Sequence, residues 1–154
     1  MKKLLSTVVL FVVACAAVSL LRAQPVLAAE ETKPVVENAW LRSPPPGGEV
    51  TAAYFTVRNP GSTTLVVRGV ESPVAMHAML HETTVVDGQS RMRERERLEI
   101  PPNGTLTLEP GGLHVMLHGL RRPLVVGERV PLVLLLEDGG RIEITAEVRP
   151  LGAR

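Results

Sequence analysis

The chain has 154 residues, with 17 Lys and Arg against 16 Asp and Glu, a formal net charge of +1 and aromatic side chains at only 3%. That balance excludes a nucleic-acid surface, which would need a basic patch interleaved with stacking aromatics. The single cysteine excludes a disulfide framework within the chain.

Read from the amino end, Lys2 and Lys3 precede an apolar run from Leu4 to Leu21, interrupted only by Ser6, Thr7 and Ser19. Arg22, Gln24 and Pro25 end the run, and Val26-Leu27-Ala28 has the small residues of a cleavage site. Residues 1–28 thus read as an export signal, 29–34 as a linker and 35–150 as one domain, placed in the periplasm. Two alternatives attach to this segment. The run is near the lower length limit of a bilayer-spanning helix, so an uncleaved anchor is one. Val12-Val13-Ala14-Cys15 resembles a lipoprotein box, so a lipid on Cys15 is the other. Ala16 to Leu21 stays mostly apolar where a lipoprotein turns polar, which favours Cys15 as a small residue inside the signal. Cleavage after Ala28 leaves 126 residues, fourteen basic and sixteen acidic, and no cysteine. Zinc thiolate sites, thiol catalysis and a blue-copper site are then all excluded, and soft-metal chemistry falls to methionine and histidine.

Beyond residue 30 the chain alternates apolar and polar residues in short runs, punctuated by Gly, Pro, Asn and Asp. Strands are predicted at 35–42, 51–58 and 64–71, the second ended by Asn59-Pro60-Gly61. A hairpin is predicted from 76–86 and 90–100 around Asp87-Gly88, a dipeptide that tolerates φ > 0 at both positions. Further strands follow at 105–109, 113–117, 132–137 and 141–148, with Pro131 just before the run 132–137, where a missing N–H does least harm. Leu132 to Leu136 is continuously apolar, the mark of a central buried strand. Eight or nine short strands at this spacing predict an all-β sandwich or barrel. Trp40 and Tyr54 are assigned to its core.

All four histidines, and every methionine except Met1 of the signal, fall between residues 76 and 118. His77-Ala78-Met79-Leu80-His81 and His114-Val115-Met116-Leu117-His118 repeat one pattern, His, Met, His at alternate positions. Alternate residues of a strand share a face, so each segment presents imidazole, thioether, imidazole in a row. The ordinary reading of one such row is packing and solvated histidine. Two copies in one cysteine-free exported domain point instead to a metal. Thioether sulfur is a soft neutral donor and imidazole an intermediate one, which suits copper(I) and allows its release to a thiolate partner. Met76 is out of phase with the His77 row and is assigned to packing. Met92 lies in the charged run Arg91 to Arg97, where core burial is not expected; the charges read as a solvated strand face or as a docking rim. A two-residue turn at 87–88 sets His81 opposite Glu94, with Met92 diagonal to His81 on the same face.

At these residues the sequence resembles the periplasmic copper chaperone family of the PCuAC type. His81, ten residues, Met92, twenty-one residues, His114 and then Met116 match that family's site spacing in full. Glu82 stands where a Met often follows the first His. Ala39-Trp40, Thr51 to Pro60 and Pro110-Gly111-Gly112 extend the resemblance over residues 35–148. It implies a cupredoxin-like Greek-key sandwich and copper(I) held by His81, Met92, His114 and Met116. It further implies handing of copper to an accepting protein on the route to the copper centre of cytochrome c oxidase; a monomeric carrier without catalysis is expected. His77, Met79 and His118 are left over, either as a second, weaker copper site or as surface decoration. The competing functions are a copper-dependent redox enzyme using the four histidines, and a metal-independent adhesion or assembly module.

Overall fold

The computed structural model describes residues 33–153. The signal, most of the linker and Cys15 lie outside the described residues. Ten strands run in chain order: β1 (Val35–Arg42), β2 (Val50–Arg58), β3 (Leu65–Glu71), β4 (Ala75–Val86), β5 (Gln89–Glu94), β6 (Leu98–Ile100), β7 (Thr105–Leu108), β8 (Leu113–Leu120), β9 (Arg129–Leu136) and β10 (Arg141–Arg149). Among the described residues there is no helix.

The sheet order is β5-β4-β8-β2-β1-β10-β9-β3-β6, with β7 also on β2. Pairing is antiparallel except for β1 beside β10. Burial alternates along the strands as a one-sided sheet requires. Thus Ile142, Ile144, Ala146 and Val148 of β10 are buried and their neighbours Glu143, Thr145 and Glu147 are exposed. Leu80, Val115 and Leu117 from one half of the sheet join Leu132, Leu134 and Ile144 from the other in a single core cluster. The sheet therefore closes over itself as a cupredoxin-like sandwich. Its core is aliphatic, with Phe55 the sole aromatic in the cluster.

The chain has ten strands, not eight or nine, because the predicted strand 90–100 is two strands. β5 pairs with β4, while β6 crosses to the other half and pairs with β3. Leu98 and Ile100 are buried, and Arg95, Glu96 and Arg97 are exposed. The charged triplet therefore turns the corner in water while the apolar pair enters the core. Arg97 pairs with Glu99 at 3.1 Å and reaches Glu137 at 3.8 Å. Pro131 also differs from expectation: β9 begins at Arg129, so the proline lies inside it. Its carbonyl accepts from the Ser72 hydroxyl at 2.9 Å. N and O of one strand residue point the same way, so the absent N–H faces a place beyond the end of β3, where no ladder bond is lost.

Asn59 is buried at the β2–β3 corner. Its Nδ2 donates to the carbonyls of Thr63 (2.7 Å), Ile100 (3.0 Å) and Pro101 (3.1 Å), and its Oδ1 accepts from the N–H of Gly61 at 3.1 Å. One side chain thereby ties the β2–β3 turn to the end of β6.

Candidate metal centre

The site is built on β4 and β8, neighbours in the sheet. Their register sets His77 against His118, Met79 against Met116 and His81 against His114. The two His-x-Met-x-His rows are thus zipped rung by rung on one face. The residues between them, Leu80, Val115 and Leu117, are buried on the other face. The same alternation that holds the strands down by their apolar residues therefore presents every donor on the ladder face.

Met92 reaches this face from β5. The hairpin has the predicted register, with His81 opposite Glu94 and Thr83 opposite Met92. Asp87 (φ 53°) and Gly88 (φ 78°) carry the two left-handed turn residues. Met92 is half exposed, as its charged surroundings required. Its Sδ lies 3.2 Å from Nδ1 of His81. Two ligands of one tetrahedral ion, bonded at about 2.0 Å through nitrogen and about 2.3 Å through sulfur, stand roughly 3.5 Å apart. The His81–Met92 approach is close to that ligand-to-ligand edge.

His81 meets His114 edge to face, with ring centroids 5.8 Å apart at 86°. His114 is the buried member, 5% exposed. Its Nδ1 lies 3.0 Å from the carbonyl oxygen of Gly112; an N–H there donates to that oxygen and leaves the Nε2 lone pair free. Burial, and then the neighbouring His114, hold the His81 pKa below its ordinary 6.5, while Glu94 opposes them. A lowered pKa keeps the imidazole neutral, the form that coordinates metal.

Trp40 and Tyr54 are buried as expected, packed on each other beside the aliphatic cluster rather than within it. Trp40 pairs with Tyr54 across β1 and β2, their rings 4.5 Å apart, and the Tyr54 ring lies 6.4 Å from that of His114. The guanidiniums of Arg42 and Arg149 cover the pair at 5.6 Å and 5.4 Å. Burial raises the Tyr54 pKa and keeps its hydroxyl neutral. This aromatic buttress is what the sequence reading missed. The alternation of β2 was visible, but only its register against β8, Ala53 with Val115, puts Tyr54 beside His114.

His77, Met79 and His118 share the ladder face with the main set, and Met76 does not. A Cβ on Gly119 would meet the Met76 sulfur at 3.0 Å, so Met76 lies over that glycine. Among the described residues no three His, Cys, Asp or Glu side chains gather. A three-side-chain site on this face therefore draws on methionine as well as histidine, and thioether donors favour soft ions over hard ones.

The LpqE-like family model matches residues 35–148. The chain belongs to that family. A relative from Leifsonia xyli subsp. xyli, Lxx21020, bears a lipoprotein name and is 37% identical over 115 residues, covering 74% of this chain and 68% of its own length. Among solved structures, the copper-bound PCuAC domain of PmoF2 superposes with TM-score 0.64 at 26% identity, over 77% of this chain and 94% of that one. The copper(I) form of DR1885 from Deinococcus radiodurans superposes with TM-score 0.63 at 38% identity, over 80% and 83%. The apo form of DR1885 gives 0.60 at the same identity. This LpqE-like chain therefore has the PCuAC fold, as its resemblance implied.

Proposed function

We propose that this LpqE-like protein is an exported copper(I) carrier that holds the ion with His81, Met92, His114 and Met116. The single observation that carries the reading is the 3.2 Å approach of Met92 sulfur to His81 nitrogen from a different strand, with the His114 ring centroid 5.8 Å from that of His81. The likeness to copper-bound PCuAC and copper(I)-DR1885 supports the choice of metal. Two imidazoles and two thioethers are all neutral, so the complex keeps only the charge of the ion. A partner offering thiolates can then take the ion by exchange. No side chain here is assigned to catalysis. The accepting protein belongs, on this reading, to the assembly route of a respiratory oxidase.

X-ray absorption of the copper(I)-loaded protein tests the ligand set. Two sulfur and two nitrogen scatterers are expected, falling to one sulfur in Met92→Leu. An all-nitrogen shell in the native protein would sink the proposal.

The lipoprotein name of the Leifsonia relative and the LpqE-like match support lipid attachment at Cys15 over cleavage near Ala28. On that reading the domain is tethered to a membrane by its amino end. Intact-mass measurement separates the two: a diacylated terminus at Cys15, or a lipid-free terminus after Ala28. The free edge strand β5 is exposed throughout and carries Arg91, Arg93 and Glu94. Charges on an edge discourage strand addition by a second copy, which supports a monomer.

A further inference from the structure

The ladder has two ends, and the proposed function uses only one. His81 and His114 form the rung beside β5; Met79 and Met116 form the middle rung; His77 and His118 form the last. The middle rung stands two residues from each histidine rung on both strands, about 7 Å along the sheet. A four-donor site at the β5 end takes only Met116 from that middle rung. Met79 is left, facing the same way, next to two imidazoles with no assigned task.

We propose that His77, His118 and Met79 form a second copper position at the open end of the ladder. Directly opposed residues of an antiparallel pair have Cβ atoms about 4.5–5.5 Å apart. A tetrahedral ion bound at about 2.0 Å to each of two imidazoles needs their nitrogens about 3.3 Å apart, which rings standing on one rung can reach. His77 is exposed and His118 is half-buried, so an ion has access. The structure gives neither ring a protein hydrogen bond among the described residues, unlike His114, whose Nδ1 is committed to Gly112.

Chemically the two ends differ. The β5 end offers two thioethers and two imidazoles, one of them buried, a set that favours copper(I). The open end offers two imidazoles, one thioether and water, a set that also accepts copper(II). The histidine rungs are about 14 Å apart along the strands, which leaves room for two separate ions. The choice of metal rests on the proposed function; the existence of a second donor set does not.

The test is anaerobic titration of the protein with copper(I) against a chromophoric competing chelator. Native protein is expected to take two equivalents. The double variant His77→Ala/His118→Ala should take one, with the remaining affinity changed by less than about threefold. The double variant Met92→Leu/Met116→Leu should keep the open-end ion and lose at least about tenfold in affinity for the other. Copper(II) added to native protein should give an electron paramagnetic resonance signal with nitrogen couplings, abolished by His77→Ala/His118→Ala and retained in Met92→Leu/Met116→Leu. Saturation of native protein at one equivalent, or two equivalents retained without His77 and His118, overturns the second position and leaves the carrier reading standing. Failure to bind any copper overturns both.

Discussion

Met92→Leu removes a sulfur and keeps the volume. The side chain is half exposed, so the exchange should cost well under about 1.5 kcal/mol in stability. Copper(I) affinity, in contrast, should fall at least about tenfold, and titration beside a thermal melt separates the two effects. His81 sets the pH behaviour of the metal-free protein. Its pKa is lowered in the folded state, chiefly by burial and then by His114. The unfolded chain thus takes up a proton at about pH 6.5, where the folded one resists it. Stability should be complete above that pH and decline as pH falls through the window between 6.5 and the lowered folded value. Melting temperatures between pH 7.5 and 5.5 should drop more in native protein than in His81→Gln; an equal drop would remove His81 as the cause. Of the residue-scale facts, the identity and spacing of His81, Met92, His114 and Met116 were legible in the sequence. The Gly112 carbonyl that orients His114 was not, because a backbone acceptor carries no residue code.

The β4–β5 hairpin is the element that delivers Met92. Side chains alternate, so a slip of one residue would turn Met92 away from His81. Asp87-Gly88 holds the register, with Gly88 at φ 78° and no heavy atom within 4 Å of the place where a Cβ would stand. Gly88→Val therefore meets no clash, only the left-handed strain of a β-branched residue, on the order of 1–2 kcal/mol. We expect that loss in chemical denaturation, together with weakened copper(I) binding because the turn pins the sulfur. Unchanged binding would show that β5 keeps its register without the glycine. The hairpin was readable because two-residue turns have a strong local code. Its outer limit was not: the break after Glu94 depends on Leu98 and Ile100 being claimed by the core of the opposite half, a long-range demand. Pro131 was placed outside β9 for the same reason. Whether a strand tolerates proline depends on what faces its nitrogen, and the end of β3 lies about sixty residues earlier in the chain.

At the scale of the whole molecule, Asn59 joins distant parts of the sandwich. It is 2% exposed, and three carbonyls depend on its amide group. Asn59→Ala should cost about 2–4 kcal/mol, since buried carbonyls lose their donor and no water replaces it at once. Urea denaturation measures that loss, and a cost below about 0.5 kcal/mol would mean that the corner is held by the backbone alone. The chain by itself determined the all-β class, the two His-x-Met-x-His rows and the family, because alternation, turn residues and donor spacing are local properties. Tertiary structure alone decided that β4 and β8 become neighbours with the two rows zipped in register, and that Tyr54 and Trp40 buttress the site. These depend on which strands become neighbours, and neighbour choice is settled by the burial of both halves of the sheet at once.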